Sequence, residues 1–307
     1  MKNPFSGGIP HALIAVLVAL GLSVAVAVAT PPSPEAAAPV KKPVIIPLYL
    51  SSRRILVMLR VGDHLPVPVV FDTGTNSNLV DLKFAKELSL PRTGDSKSID
   101  GSTGKPVPGF EGRLVDARLG GVKIEDGPVT VLDYPMMDEV GIFCPNSFPG
   151  HLVLLDCGRS ALKIEEKTPA TIPAVESFPY DGKDDDKLPA VPIDIAGLRL
   201  TAELDSGNDS ALLLPTSYIS KLPLEAPPVV IGEATSVAGK QPLYRARLKG
   251  SIHIASVTLE NPNILFIAGG IPNIGLPILR QLSVVFDPSE GRTWILGPAT
   301  VGADRPH

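Results

Sequence analysis

VVFDTGTNSNLV, residues 69–80, decides how this chain is read. An aliphatic run reaches Asp72, breaks on Asp72-Thr73-Gly74 and resumes at Leu79-Val80. Burying a carboxylate is costly unless hydrogen bonds or another charge compensate it, so the break asks for a partner. The second half of the chain supplies one. AELDSGNDSALLLP, residues 202–215, sets Asp205-Ser206-Gly207 between the strand-like run LRLTAEL and the aliphatic ALLLP. Each triplet then gives way to a short helix-like stretch, KFAKELSLP in the first half and TSYISKLPL in the second.

The likeness continues downstream. Val140-Gly141-Ile142 and Ile274-Gly275-Leu276 follow their triplets at nearly equal offsets. Each leads into a helix-like turn, a strand, a reverse turn and a last strand, SFPGHLVLLDCGRSALKI (147–164) and PILRQLSVVFDPSEGRTWIL (277–296). This is an internal duplication of roughly 110 residues per copy, too long a period for a solenoid. A lone D-[ST]-G arises by chance in roughly one chain in ten of this length and usually marks a turn. Two copies in matching places are a different matter.

The pairing has a chemical rationale. Two carboxylates a few ångströms apart cannot both ionise easily, so they share one proton. The ionised member acts as general base on a water held between them, and the protonated member donates to a carbonyl oxygen. Gly74 and Gly207 allow close backbone approach and free an N–H for each carboxylate. The Thr73 and Ser206 hydroxyls can bond across to the opposite loop.

With these residues the chain resembles the aspartic peptidases, over nearly its whole length from Val44 to Leu296. The resemblance rests on VVFDTGTNSNLV, AELDSGNDSALLLP, VGIF and NIGLP with their spacing. The short, near-equal halves look more like two fused retropepsin-type units than like pepsin. The resemblance implies an all-β fold with short helices, in two similar β-barrel-like lobes with a cleft between them. It implies Asp72 and Asp205 as the catalytic pair, and Gly141 and Gly275 packed beneath the two loops. It also implies a hairpin flap, for which Gly101-Ser102-Thr103-Gly104 in the first half and Gly239 in the second are candidates; ordinary surface hairpins are the alternative. Three departures stand out. The first tip has no tyrosine, Thr75 and Asn208 replace the small residue usual after each glycine, and Asp209 adds an acid near Asp205. The glycosylation match at Asn208-Asp209-Ser210 reads as accidental, since a glycan there would block the cleft.

Composition sets the remaining bounds. Of 307 residues 44% are hydrophobic, and the 33 prolines and 28 glycines suit many short strands and turns. The net charge of -4, without a basic block, argues against nucleic acid as a partner. The five histidines are scattered without ligand spacing, so neither metal nor other cofactor is expected. The Asp184-Asp185-Asp186 run lacks the spaced oxygens of a calcium loop and reads as a solvated charge run.

Lys2, the apolar run from Ala12 to Ala29 and the Ala27-Val28-Ala29 exit have the layout of a secretory leader. A retained membrane anchor is the competing reading. Either way the expectation is an exported protein, periplasmic or extracellular, and a membrane partner only if the leader is kept. The segments expected are a leader over 1–29, a Pro/Ala-rich tether over 30–43 and a first lobe over 44–166. A linker over 167–187, a second lobe over 188–298 and a tail over 299–307 complete the chain. Cys144 and Cys157 read as either a short-loop disulfide or two buried thiols. The duplication supplies both aspartates in one chain, so a monomer suffices. The sequence reading is an aspartic endopeptidase acting on peptide or protein, with a catalytically weak binding module of the same fold as the alternative.

Overall fold

The computed structural model describes residues 42–298 apart from 97, 101–104, 134–137, 183–185 and 237–238. The leader, most of the tether, the tail and the first-half flap candidates Gly101, Ser102, Thr103 and Gly104 therefore lie outside the described residues. The chain is mostly β, with 53% of residues in strands and 8% in helices, arranged as two curled half-barrel lobes.

Period-2 patterning builds these strands. In Ile55–Val61 the alternate residues Ile55, Val57, Leu59 and Val61 are buried, as one face of a pleated strand requires. Where both faces are covered the pattern becomes continuous, as in Leu282–Asp287, all six of whose residues are buried. Four phenylalanines, Phe71, Phe143, Phe266 and Phe286, are among the largest fully buried side chains. Each contributes roughly 1.5–3 kcal/mol of burial.

The two lobes share one topology. In the first, the sheet order is Arg92–Asp95, Gly109–Leu114, Gly127–Leu132, Leu79–Asp81, Gly141–Phe143, Val67–Phe71, Ile55–Val61, Ala117–Leu119, Val122–Lys123, with Tyr49–Leu50 paired alongside Ile55–Val61. The second repeats it strand for strand, from Val229–Ser236 and Gly239–Arg247 at one edge to Ser251–Ile254 and Val257–Glu260 at the other. Parallel and antiparallel pairings also correspond. In each lobe the strand bearing the triplet lies parallel to a short central strand, Gly141–Phe143 or Asn273–Ile274.

A third sheet joins the halves. The hairpins His151–Asp156/Ala161–Glu166 and Leu282–Asp287/Arg292–Pro298 meet edge to edge, with Val153 opposite Phe286 and Leu155 opposite Val284. Val44–Pro47 extends one side and Ser177–Pro179 the other, making six antiparallel strands. Lys167 adds an ion pair across the junction, its Nζ 2.7 Å from Oδ2 of the buried Asp287.

The helix-like stretches are an α-helix, Leu82–Glu87, and a 3-10 helix, Thr216–Lys221. Asp81 caps the first by accepting from the Phe84 N–H at 2.6 Å.

Cys144 and Cys157 form no disulfide; both are free, buried thiols. Cys144 opens the turn Pro145–Ser147 and bonds Asn78 through its N–H, while Cys157 begins the turn after the strand His151–Asp156 and packs in the main core. Burial pushes each thiol up to about 12, so neither ionises readily.

Candidate active site

The two triplets meet at the junction of the lobes. Each aspartate follows a strand whose last hydrogen bond it makes itself. The Asp72 N–H donates to Phe143 O at 2.8 Å, and the Asp205 N–H to Ile274 O at 2.9 Å. Thr73 and Ser206, both fully buried, then lock the loops reciprocally. The Thr73 N–H donates to Ser206 Oγ and the Ser206 N–H to Thr73 Oγ1, each at 3.0 Å. The hydroxyls donate onward into the opposite strand, Thr73 to Leu204 O at 2.6 Å and Ser206 to Phe71 O at 2.9 Å. Four bonds at about 1 kcal/mol net each therefore cross between the halves.

This grip brings Asp72 and Asp205 into hydrogen-bonding reach of each other, and both keep part of their surface exposed. The Gly74 N–H donates to Asp72 Oδ1 at 2.8 Å, and Gly207 N–H donates to both carboxylates, Asp205 Oδ1 at 2.8 Å and Asp72 Oδ1 at 3.2 Å. The glycines are required by the closeness of the opposing side chain. A Cβ on Gly74 would stand 2.5 Å from Asp205 Cγ, and one on Gly207 would strike Asp72 Oδ2. Burial, and next the adjacent Asp205 charge, raise the Asp72 carboxyl from 3.8 to about 8, against the lowering pull of its backbone donors. The pair is thus built to hold a proton.

The segments beneath the loops align differently from the sequence expectation. Structural equivalence runs through Phe143 and Ile274, whose carbonyls accept from the two aspartate N–H groups. The first-lobe counterpart of Gly275 is then Cys144, three residues beyond Gly141. Gly275 does lie under its loop, where a Cβ would run into Ser210 O and Asn208 O. Gly141 instead packs against Leu79 O and Val80 Cα in the neighbouring strand. Cys144 closes its own loop through the Asn78 side chain, which accepts from the Cys144 N–H and from Ser147 Oγ.

Other predicted residues settle as follows. Gly239 starts a strand paired with Val229–Ser236, at a φ of +124°, in a largely exposed hairpin at the sheet edge. Thr75 turns into its own loop, donating to Ser77 O at 3.2 Å. Asp209 faces outward toward Arg53, 3.5 Å away. Asn208 Nδ2, the atom a glycan would need, is engaged with Asn273 Oδ1 at 2.7 Å. Among the described residues no cluster of His, Cys, Asp and Glu could hold a metal ion.

Sequence reasoning passed over two residues. Asn273 donates from Nδ2 to Asp205 Oδ2. Glu203, buried on the adjacent strand opposite Asn273, is raised to about 8 by burial and by the nearby charges of Asp205, Asp181 and Asp72. Asn273 left a signal, a lone amide set between Ile271-Pro272 and Ile274-Gly275-Leu276, whereas Glu203 sits on the polar face of LRLTAEL and left none.

Two half-barrel lobes thus each contribute one carboxylate loop to a common junction. Residues 57–144 match the family model described as aspartyl protease, which supports assigning the chain to that superfamily, of the retropepsin-like kind. The match supports a protease-like function and a peptide or protein substrate. No curated protein matches the chain.

Proposed function

We propose that the chain is an aspartic endopeptidase with Asp72 and Asp205 as its catalytic pair. The observation that carries this reading is the reciprocal Thr73–Ser206 grip, which holds two partly exposed carboxyl groups together, where burial and the neighbouring Asp205 charge raise Asp72 to about 8. Asp72 is the protonated member and donates to the scissile carbonyl oxygen. Asp205, which accepts from Gly207 N–H, Asn208 N–H and Asn273 Nδ2, is the base that deprotonates the attacking water. The C–N bond then breaks as Asp205 passes the proton it took from water to the leaving amine and Asp72 takes its proton back from the carbonyl-derived hydroxyl. No covalent enzyme intermediate is required.

We also propose that the protein acts outside the cytoplasm, on the strength of Lys2 and the apolar run that follows it. Both lobes lie in one chain, so a monomer carries the whole pair.

The test is cleavage of a mixed peptide library from pH 3 to 8 by the wild type, Asp72→Asn and Asp205→Asn. The expected outcome is turnover in the wild type and a loss of at least about 10³-fold in each variant, with circular dichroism unchanged. A folded wild type that binds peptides without cleaving them would replace this reading with the binding module.

A further inference from the structure

The two carboxylates are not held alike. Asp72 receives Gly74 N–H and Gly207 N–H, both on Oδ1, and its remaining side-chain partner among the described residues is Asp205. Asp205 receives Gly207 N–H and Asn208 N–H on Oδ1, and a side-chain amide on Oδ2. That amide belongs to Asn273, whose first-lobe counterpart, Ile142, carries no donor. The equivalence is fixed by the ladder, in which Ile142 pairs with Val70 and Asn273 with Glu203.

The direction of the Asn273 amide follows from its neighbours. Ser210 presents a backbone N–H, which can only donate, and it bonds the Asn208 side chain at 2.8 Å; Ser210 Oγ lies 2.7 Å from the same atom. The Asn208 atom facing Ser210 must therefore be its oxygen, which turns its NH2 toward Asn273. Asn273 answers with its own oxygen, at 2.7 Å, and is left pointing its NH2 at Asp205. A backbone N–H thus sets two amides in series. The end of the series is a donor, and a donor favours a carboxylate over a carboxyl group.

We infer that Asn273 is a positioning residue: by donating to Oδ2 of Asp205 it assigns the base role to the second lobe and leaves the shared proton on Asp72. The catalytic consequence rests on the peptidase reading; the assignment of the proton does not. The ionisable groups around the pair are Glu203, which lies within the field of both Asp205 and Asp72 and is itself faced by Asp181 of the linker, and Cys144, which lies within the field of Asp72.

The experiment combines kinetics with carbon-13 NMR of labelled aspartate carboxyls in the full chain, the pair's signals being identified by their loss in Asp72→Asn and Asp205→Asn. In Asn273→Leu the acid-side ionisation of the pair should move up by about one pH unit, the size expected for loss of one charge-assisted bond. The acid limb of kcat/KM should move with it while KM stays within about twofold. An acid-side ionisation within about 0.2 units of wild type would overturn the inference, even if activity fell. Should Asn273→Leu not fold, Asn208→Ser keeps the backbone donor to Asp205 but releases the amide of Asn273. It should give a smaller shift of the same sign, and none would again overturn the inference. An NMR shift in Asn273→Leu with no peptide cleaved by the wild type would uphold the inference and sink the peptidase reading instead.

Discussion

The first lobe places Val70 and Ile142 on the rung of paired strands beside its carboxylate; the second places Glu203 and Asn273 on the same rung. Strand order, pairing sense and the Thr–Ser grip are common to both lobes. The difference shows that a duplicated scaffold can supply geometric symmetry while one rung supplies chemical asymmetry. Two carboxylates in identical surroundings would share a proton equally. Here one side is apolar and the other offers an amide donor and a further buried acid, so the two aspartates sit in different surroundings.

The hardest test of the symmetric part is Gly207→Ala beside Gly74→Ala. Each drives a Cβ into the opposing carboxylate, so both should lose more than about 100-fold in activity and about 1–3 kcal/mol of stability. Urea unfolding and peptide cleavage report this, and tolerance of either alanine would show that the loops do not approach as described. Next come Thr73→Val and Ser206→Ala. Each strands a buried N–H and carbonyl, and each should cost about 1–3 kcal/mol. Unequal costs would mean that the grip is not reciprocal in solution.

The asymmetric part is reached through Glu203→Val, which copies Val70 into the second lobe. Glu203 is held protonated to about 8 when folded, against an ordinary 4.5. Between those values the unfolded chain releases a proton that the folded chain retains. Wild-type stability therefore declines as pH rises through that window and is fully present below it. The variant should flatten this decline, gaining on the order of 3 kcal/mol at pH 8 relative to pH 5, as measured by urea unfolding. An unchanged slope would remove Glu203 from the acid cluster. Asp72 acts with the same sign, and turnover should fall as pH rises through about 8, where the pair gives up its last proton. The smallest effect is expected from Cys144→Ala: about 1 kcal/mol of stability and unaltered kcat.

The duplication, both triplets and the hydroxyl grip were legible in the sequence because each is a local pattern repeated once. The register beneath the loops was not. Glycine is the conspicuous letter in both segments, whereas the structural equivalence is carried by carbonyls at Phe143 and Ile274, and Cys144 stands where the second lobe has glycine. Nor could a single strand's pattern reveal Glu203 as buried, since in LRLTAEL it falls where an alternating strand would face solvent. Its burial comes from the strands on either side, where Ala190 and Asn273 pair with it. The third sheet was hidden for a related reason: the sequence assigns each terminal hairpin to its own half, and only long-range pairing shows that they form one surface.

That third sheet makes the two copies mutually dependent. Cut the chain in the linker, and the strand His151–Asp156 of one fragment and Leu282–Asp287 of the other each become a bare edge, with a row of unpaired amides and aliphatic side chains. Such an edge accepts its former neighbour or another strand of suitable register. The two fragments should therefore reassemble when mixed, and either alone should be prone to self-association. The covalent link then serves less to hold a finished molecule together than to ensure that, during folding, each edge meets the right partner first.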